Sequence, residues 1–195
     1  VPGDILGQIT ASTLGADVVV TPVSSNTGVE VSGRFGRVVR TRIGSPFVIA
    51  GMEAEGGRVV GYEANGGFLL GFDGAGATGP LPRLMTRDSF LPLIAPLAQA
   101  RSAGGLAALV AAQPPRFTAA DRLQETPTEA SQALLERLRG DTGARAALLG
   151  ALDAREAGLD ETDGLRMTLS DGRILHLRPS GNAPEFRVYA EAGSE

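Results

Sequence analysis

The chain of 195 residues contains no cysteine and no lysine, and its only histidine is His176. Without cysteine, disulfides and thiolate metal sites are excluded, and the redox compartment carries no mark. All 18 basic residues are arginine, which reads first as codon bias. A net charge of −4 gives no reason to expect nucleic acid or an anionic membrane as partner. No apolar run approaches the roughly 20 residues that a membrane helix requires. Val1-Pro2-Gly3-Asp4 has neither the Met nor the basic segment of a signal peptide. The expected location is therefore the cytoplasm, and the expected position of Val1 is inside a longer gene product. An apolar share of 43% beside 21% charged residues is that of a soluble globular protein. The length suffices for one large or two modest domains, either with a real core.

Gly3-Asp4 reads as the cap of a helix from Ile5 to Leu14, ended by Gly15. The continuous apolar run from Asp17 to Val23 suits a strand covered on both faces. Ser24, Ser25, Asn26 and Thr27 follow it, before a short helix. Capping is the first role for these residues; forming the ligand edge of an α/β sheet is the second. Strands at Arg37–Ile43 and Arg58–Tyr62 enclose a helix from Ser45 to Glu53. Alternation of this kind predicts a mixed, mostly parallel sheet in a three-layer α/β/α domain. Asp73 to Arg83 is too rich in glycine and proline for a regular element and reads as a surface loop. A helix from Ser89 to Arg101 places Leu93, Ile94 and Leu97 on one face. Pro92 fits its first turn, whereas Pro96 is expected to kink or break it. A further helix, Leu106 to Ala112, leads to Pro114-Pro115, which divides the chain into expected domains 1–113 and 114–195.

The second half begins with a partly extended stretch from Phe117 to Thr126. Thr128 then caps a helix whose Ala133, Leu134 and Leu138 are expected to face inward. Ala144 to Leu152 adds a helical segment or turn. Leu165–Leu169 and Arg173–Leu177 flank Ser170-Asp171-Gly172, a strong hairpin signal. With one more strand this makes a small α+β domain.

Two loops carry chemistry. Ile174–Leu177 and Phe186–Tyr189 alternate as strands around a turn of Arg178, Pro179, Ser180, Gly181, Asn182, Ala183 and Pro184. An anion such as phosphate needs several donors from one side, and this turn offers a guanidinium, a hydroxyl, an amide and backbone N–H groups, with no carboxylate among them. Arg187 stands close enough in sequence to send a second guanidinium to the same point. A polar turn between strands is the plain alternative. The second loop is Glu63-Ala64-Asn65-Gly66-Gly67. Its carboxylate can accept hydrogen bonds from neighbouring sugar hydroxyls, its amide can donate and accept, and its glycines let a ring approach the backbone. A glycine-rich turn with an exposed acid is the plain alternative there. His176 reads as an ordinary strand residue, because no partner for a catalytic base is visible.

RPSGNAPEFRVYAEA, residues 178–192, resembles the RxSGTEPxxRVxxEA signature that closes the phosphohexomutases. That superfamily comprises phosphomannomutases, phosphoglucomutases and phosphoglucosamine mutases. GYEANGG, residues 61–67, resembles the family's GEESGG or GEMSGH loop. TPVSSNTGVE is similar to a third-domain strand end of these enzymes, and RTRIGSPFVIAGM to their T-x-VG-x-x-(Y/F)-(V/I) segment. The resemblance implies phosphate binding by Arg178, Ser180, Gly181, Asn182 and Arg187, and sugar recognition by Glu63, Asn65 and Gly66. It further implies a substrate pocket touched by Ser24, Ser25, Asn26, Arg42 and Ser45. Arg42 stands in for a Lys or His that relatives often carry nearby, while Asn182, Ala183 and Asn65 replace the family's usual Thr, Glu and Ser.

The implied reaction moves a phosphoryl group between the one- and six-position oxygens of a hexose. In the family a phosphoserine and a magnesium-binding DGDxDR loop in the N-terminal half carry it; neither motif occurs in this chain. The expectation is thus a C-terminal half, third domain then fourth, holding no catalytic residue and no metal ligand. It would be inactive alone and partnered by the missing N-terminal domains, with Mg2+ as cofactor of the intact enzyme. Its expected ligand is mannose or glucose 1- or 6-phosphate. A phosphoglucosamine mutase fragment, a free-standing sugar-phosphate binding module and a scaffold domain with decayed loops are the alternatives.

Overall fold

Val18, Val19 and Val20 are each buried, whichever way their side chains point. They belong to a computed structural model that describes residues 1–195 except Ala77, Thr78, Asn182 and Glu195. Backbone contacts divide the chain into two units, Val1–Pro115 and Arg116–Glu195.

The first unit runs α1 (Gly3–Thr13), β1 (Val18–Pro22), α2 (Gly28–Val31), β2 (Arg37–Thr41), α3 (Ser45–Ala54), β3 (Val59–Tyr62) and β4 (Phe68–Leu70). It continues with β5 (Gly74–Gly76), β6 (Gly79–Leu81), β7 (Leu84–Asp88), α4 (Leu91–Ala100) and α5 (Leu106–Ala111). Its main sheet has the order β2-β1-β3-β4-β7. β1 pairs in parallel with β2 and β3, whereas β4 is antiparallel to both β3 and β7. Alternate side chains feed opposite faces. Val19, Val60, Phe68 and Leu70 join Ala11 of α1 and Val29 of α2. Val18, Val20, Val59 and Leu69 join Val48 and Met52 of α3. Helices on both faces therefore account for an apolar run without alternation.

Several local expectations change. Asp4 does not cap α1; it lies inside the helix with its carboxylate accepting from the backbone N–H of Ile5 and of Asn26. The expected surface loop 73–83 contains the small hairpin β5–β6, and β7 follows it as an edge strand of the main sheet. α4 continues through Pro96 and shows the opposite face from the one its apolar residues suggest. Leu93, Ile94 and Leu97 are 52%, 61% and 57% exposed, while Pro92, Ala95, Pro96 and Ala100 are buried. Small residues and ring methylenes on the inner face let α4 and α5 lie close to α1, where Ala100, Leu109 and Ile9 form a cluster.

The second unit runs β8 (Phe117–Leu123), α6 (Thr128–Gly140), α7 (Thr142–Gly150), β9 (Glu156–Asp160), β10 (Leu165–Leu169), β11 (Ile174–Pro179) and β12 (Phe186–Ala192). Its antiparallel sheet has the order β8-β12-β11-β10-β9. Leu165, Met167, Leu169, Leu177 and Phe186 pack on Leu135 and Leu138 of α6 and Leu149 of α7. On α6 the buried positions are Ser131, Leu135 and Leu138, spaced by four and three, and Leu134 is 42% exposed. Leu138 faces inward as expected, but Ala133 and Leu134 are exposed and Leu135 takes the inner position, because Leu134 and Leu135 are indistinguishable by composition. β9 was not anticipated: its Glu-Ala-Gly-Leu-Asp has almost no apolar alternation and forms the sheet edge. Arg145 binds the end of α6 to that edge, donating to the carbonyls of Leu138 and Arg139 and pairing with Glu156 at 2.5 Å. The mixed α/β layer followed by a separate α+β unit is the fold class expected from the sequence.

Candidate functional site

Because β1, β2 and β3 are parallel, their C-terminal ends share one edge of the first unit's sheet. The segments 23–27, 42–44 and 63–67 follow those ends. Ser24, Ser25, Asn26, Arg42, Ser45, Glu63, Asn65 and Gly66 are thereby brought to a common side, the edge where α/β sheets receive ligands.

Glu63 is only 5% exposed, directly after β3. The hydroxyl of Ser45, the first residue of α3, donates to its Oε1 at 2.5 Å. A carboxylate has about four lone-pair sites, and this bond fills one. The loop closes on itself, with Glu63 N–H donating to the Gly67 carbonyl and Gly66 N–H to the Glu63 carbonyl, both at 3.0 Å. The side-chain oxygen of exposed Asn65 accepts from Gly67 N–H. The first turn of α1 presses on this loop: a Cβ on Gly3 would stand 2.3 Å from Gly66 N and 2.5 Å from the Ala64 carbonyl. Glycine at position 3 is what permits that approach.

The segment after β1 is held from within. Thr21 donates to the Tyr62 carbonyl, so the 2.8 Å contact between the Thr21 and Ser25 hydroxyls takes its proton from Ser25. Ser25 thus turns inward and is buried, as is Asn26, whose side-chain oxygen accepts from Gly28 N–H. Ser24 is half-buried. Sequence reasoning passed over Arg40, which spends all five N–H donors here. It donates to the carbonyls of Pro22, Ser25 and Asn26 and to both oxygens of Glu30. Arg42, by contrast, is exposed, with its guanidinium 5.0 Å from the Phe47 ring centroid. Nothing in the RVVRTRI string distinguishes the two arginines.

In the second unit, Arg178 ends β11 opposite Arg187 on β12, and Arg187 stands opposite Arg122 on β8. Three guanidinium-bearing positions therefore occupy one row beside the loop. The turn itself lacks carboxylates, but the fold supplies them. Arg178 Nε donates to Asp163 Oδ1 at 2.8 Å, and Glu185 pairs with Arg187 at 3.3 Å and Arg122 at 3.2 Å. Neither acid was among the residues singled out from the sequence. Ser180 is 7% exposed and its N–H donates to the Glu185 carbonyl. Gly181 is exposed, and Asn182 lies outside the described residues. Burial pulls the Arg187 pKa down, but hydrogen bonds to Tyr189 and Glu185 more than offset it, so the group stays charged.

His176, at 1% exposure, has partners after all: Nε2 lies 2.6 Å from the Asp163 carbonyl and the ring stacks on Tyr189. A carbonyl only accepts, so Nε2 carries the proton. Burial, together with Arg166 and Arg178, lowers its pKa below the ordinary value, and Nδ1 has no partner among the described residues. Such a neutral ring is a structural strut. Among the described residues no group of three His, Asp or Glu side chains is placed to hold a metal ion. No helix among them is long and apolar enough to cross a membrane.

Comparison with known proteins agrees with this layout. Residues 3–117 match the family model described as phosphoglucomutase/phosphomannomutase, alpha/beta/alpha domain III, and residues 122–195 match the C-terminal domain model of the same family. A phosphomannomutase of Sinorhizobium fredii is 45% identical over 97% of this chain and 41% of its own length. The chain spans about two-fifths of the length of the curated relatives it matches. Among solved structures, a phosphoglucomutase/phosphomannomutase family protein of Burkholderia thailandensis superposes with a TM-score of 0.69 at 19% identity, over 100% of this chain and 38% of that one. An N-acetylphosphoglucosamine mutase of Aspergillus fumigatus, in complex with GlcNAc-6P and magnesium, gives 0.59 at 15% identity, over 99% and 44%. The chain belongs to the phosphoglucomutase/phosphomannomutase family, of which it comprises the α/β/α domain III followed by the C-terminal domain.

Proposed function

We propose that this chain is the substrate-binding C-terminal part of a phosphomannomutase-like phosphohexomutase, an isomerase that interconverts hexose 1- and 6-phosphates. The observation that carries the reading is that family domains III and IV each carry one polar loop of its own chemistry. One offers a carboxylate, Glu63, held by Ser45 at a sheet edge; the other offers Arg178, Ser180, Gly181 and the neighbouring Arg187. A carboxylate suits hydroxyls and a guanidinium suits phosphate, so each loop suits one kind of group found on a sugar phosphate. Asn65 and Gly66 belong to the sugar loop, and Ser24 and Arg42 face the same edge. Asn182 is assigned to the phosphate loop by the family motif alone.

Phosphoryl transfer rests on positioning and charge stabilisation. Here the chain's residues bind and orient the hexose phosphate, while the phosphoryl-carrying serine and the Mg2+ ligands belong to the N-terminal domains of the intact protein. The Aspergillus relative was solved with GlcNAc-6P and magnesium, in keeping with a sugar phosphate ligand and Mg2+ use by the intact enzyme. Mannose phosphate is the favoured substrate, after the curated relatives named phosphomannomutase.

The test is calorimetric titration of the chain with mannose 6-phosphate and glucose 6-phosphate, wild type against Glu63→Gln and Arg178→Ala. Weak binding that each substitution reduces by about tenfold is expected, with no mutase turnover from this chain alone. Binding that neither substitution affects removes the assignment.

A further inference from the structure

The turn between β9 and β10 reaches the base of Arg178 from a neighbouring strand pair. Gly164 makes this possible: at φ +81°, a Cβ there would stand 2.3 Å from the Leu177 carbonyl oxygen and 3.0 Å from Arg178 Cβ. Asp163 is thereby set against the guanidinium, with its side chain 9% exposed and Oδ1 2.8 Å from Arg178 Nε. Its backbone carbonyl accepts from His176 Nε2 at 2.6 Å. The residue is held at both ends, main chain by His176 and carboxylate by Arg178.

A free arginine side chain carries considerable rotamer entropy, part of which is lost when it grips an anion. A guanidinium already immobilised by a buried carboxylate has lost it beforehand. One carboxylate engages at most two of the five N–H donors, so the pair retains donors for a second anion. The row Arg178, Arg187, Arg122 also sets like charges opposite one another across the strands, which is unfavourable without acids to offset it.

We propose that Asp163 is a positioning residue of the anion site, fixing the Arg178 guanidinium in the orientation in which it receives the phosphate of the ligand. The inference rests on Arg178 being a phosphate ligand. A competing role, with Asp163 as an internal anion that must leave before phosphate binds, conflicts with the close packing of Gly164 and the His176 bond, which fix the main chain of Asp163 beside Arg178.

The 195-residue chain is titrated with inorganic phosphate as wild type, Asp163→Asn, Arg178→Ala and the double variant. Asp163→Asn is expected to weaken phosphate binding about tenfold with a melting temperature near that of the wild type. In the Arg178→Ala background the same change is expected to have no further effect, which a merely structural contribution would not produce. Phosphate binding that is unchanged or tighter in Asp163→Asn overturns the inference. Arg178→Ala that binds phosphate like the wild type overturns instead the reading of the loop on which it rests. NMR relaxation of the Arg178 Nε–H in the wild type supplies a measurement free of folding effects. It is expected to be rigid before phosphate is added, and a mobile Nε in the free protein refutes pre-positioning.

Discussion

Ser45 donates its hydroxyl proton to Glu63 across 2.5 Å, joining the start of α3 to the end of β3 on the side where the parallel strands finish. The bond places a carboxylate that is almost removed from water where it still has acceptor sites to spend. Ser45→Ala is expected to lower stability by about 1 kcal/mol and to weaken hexose phosphate binding several-fold. Glu63→Gln is expected to bind more weakly while melting no lower, because an uncharged amide is less costly to bury. Paired melting curves and titrations check both.

Arg40 makes a different kind of contact, entirely internal. Replacing it by Met leaves the carbonyls of Pro22, Ser25 and Asn26 without those donors and Glu30 without its partner. We expect a loss of about 2 kcal/mol in urea unfolding of the first unit. Hydrogen exchange should quicken first in residues 22–27. Arg42→Ala, at an exposed position over Phe47, should change stability little.

The single histidine gives the second unit a pH dependence. Its pKa is lowered from 6.5 in the folded chain, by burial first and by Arg166 and Arg178, so the unfolded chain binds the proton more readily. The stability tied to the neutral ring is therefore complete above about pH 6.5 and declines as pH falls toward the folded value. Between pH 7 and pH 5, on the order of the histidine range, the wild type should lose stability more steeply than His176→Gln. Equal slopes in urea titrations across that window would show that the ring takes no part.

Arg145 is 6% exposed, with donors on two α6 carbonyls and on Glu156. Arg145→Ala is expected to lower the stability of the second unit, since it leaves both carbonyls without these donors and Glu156 without this partner. Differential scanning calorimetry of the second unit's transition checks this.

Much of the layered fold and the two loops could be read from local order alone. A valine run without alternation admits only a strand covered on both faces, and Ser170-Asp171-Gly172 between alternating segments closes a hairpin. RPSGNAP and EANGG stand out in the sequence through residue type and the turns that glycine allows. The facing of α4 and α6 was not readable: apolar residues adjacent in sequence compete for the inner face, and the neighbouring helix decides between small and large. Nor could local order assign partners. Asp163 meets Arg178 across 15 positions of chain, Ser45 meets Glu63 across 18, and Arg40 finds Pro22 across 18. A hydrogen bond is defined by a few tenths of an ångström in space, and composition or periodicity carries no such distance. The amino-acid order thus determined which chemical groups sit at the strand ends. Tertiary packing decided which of them are consumed in holding those ends and which keep donors or acceptors unspent.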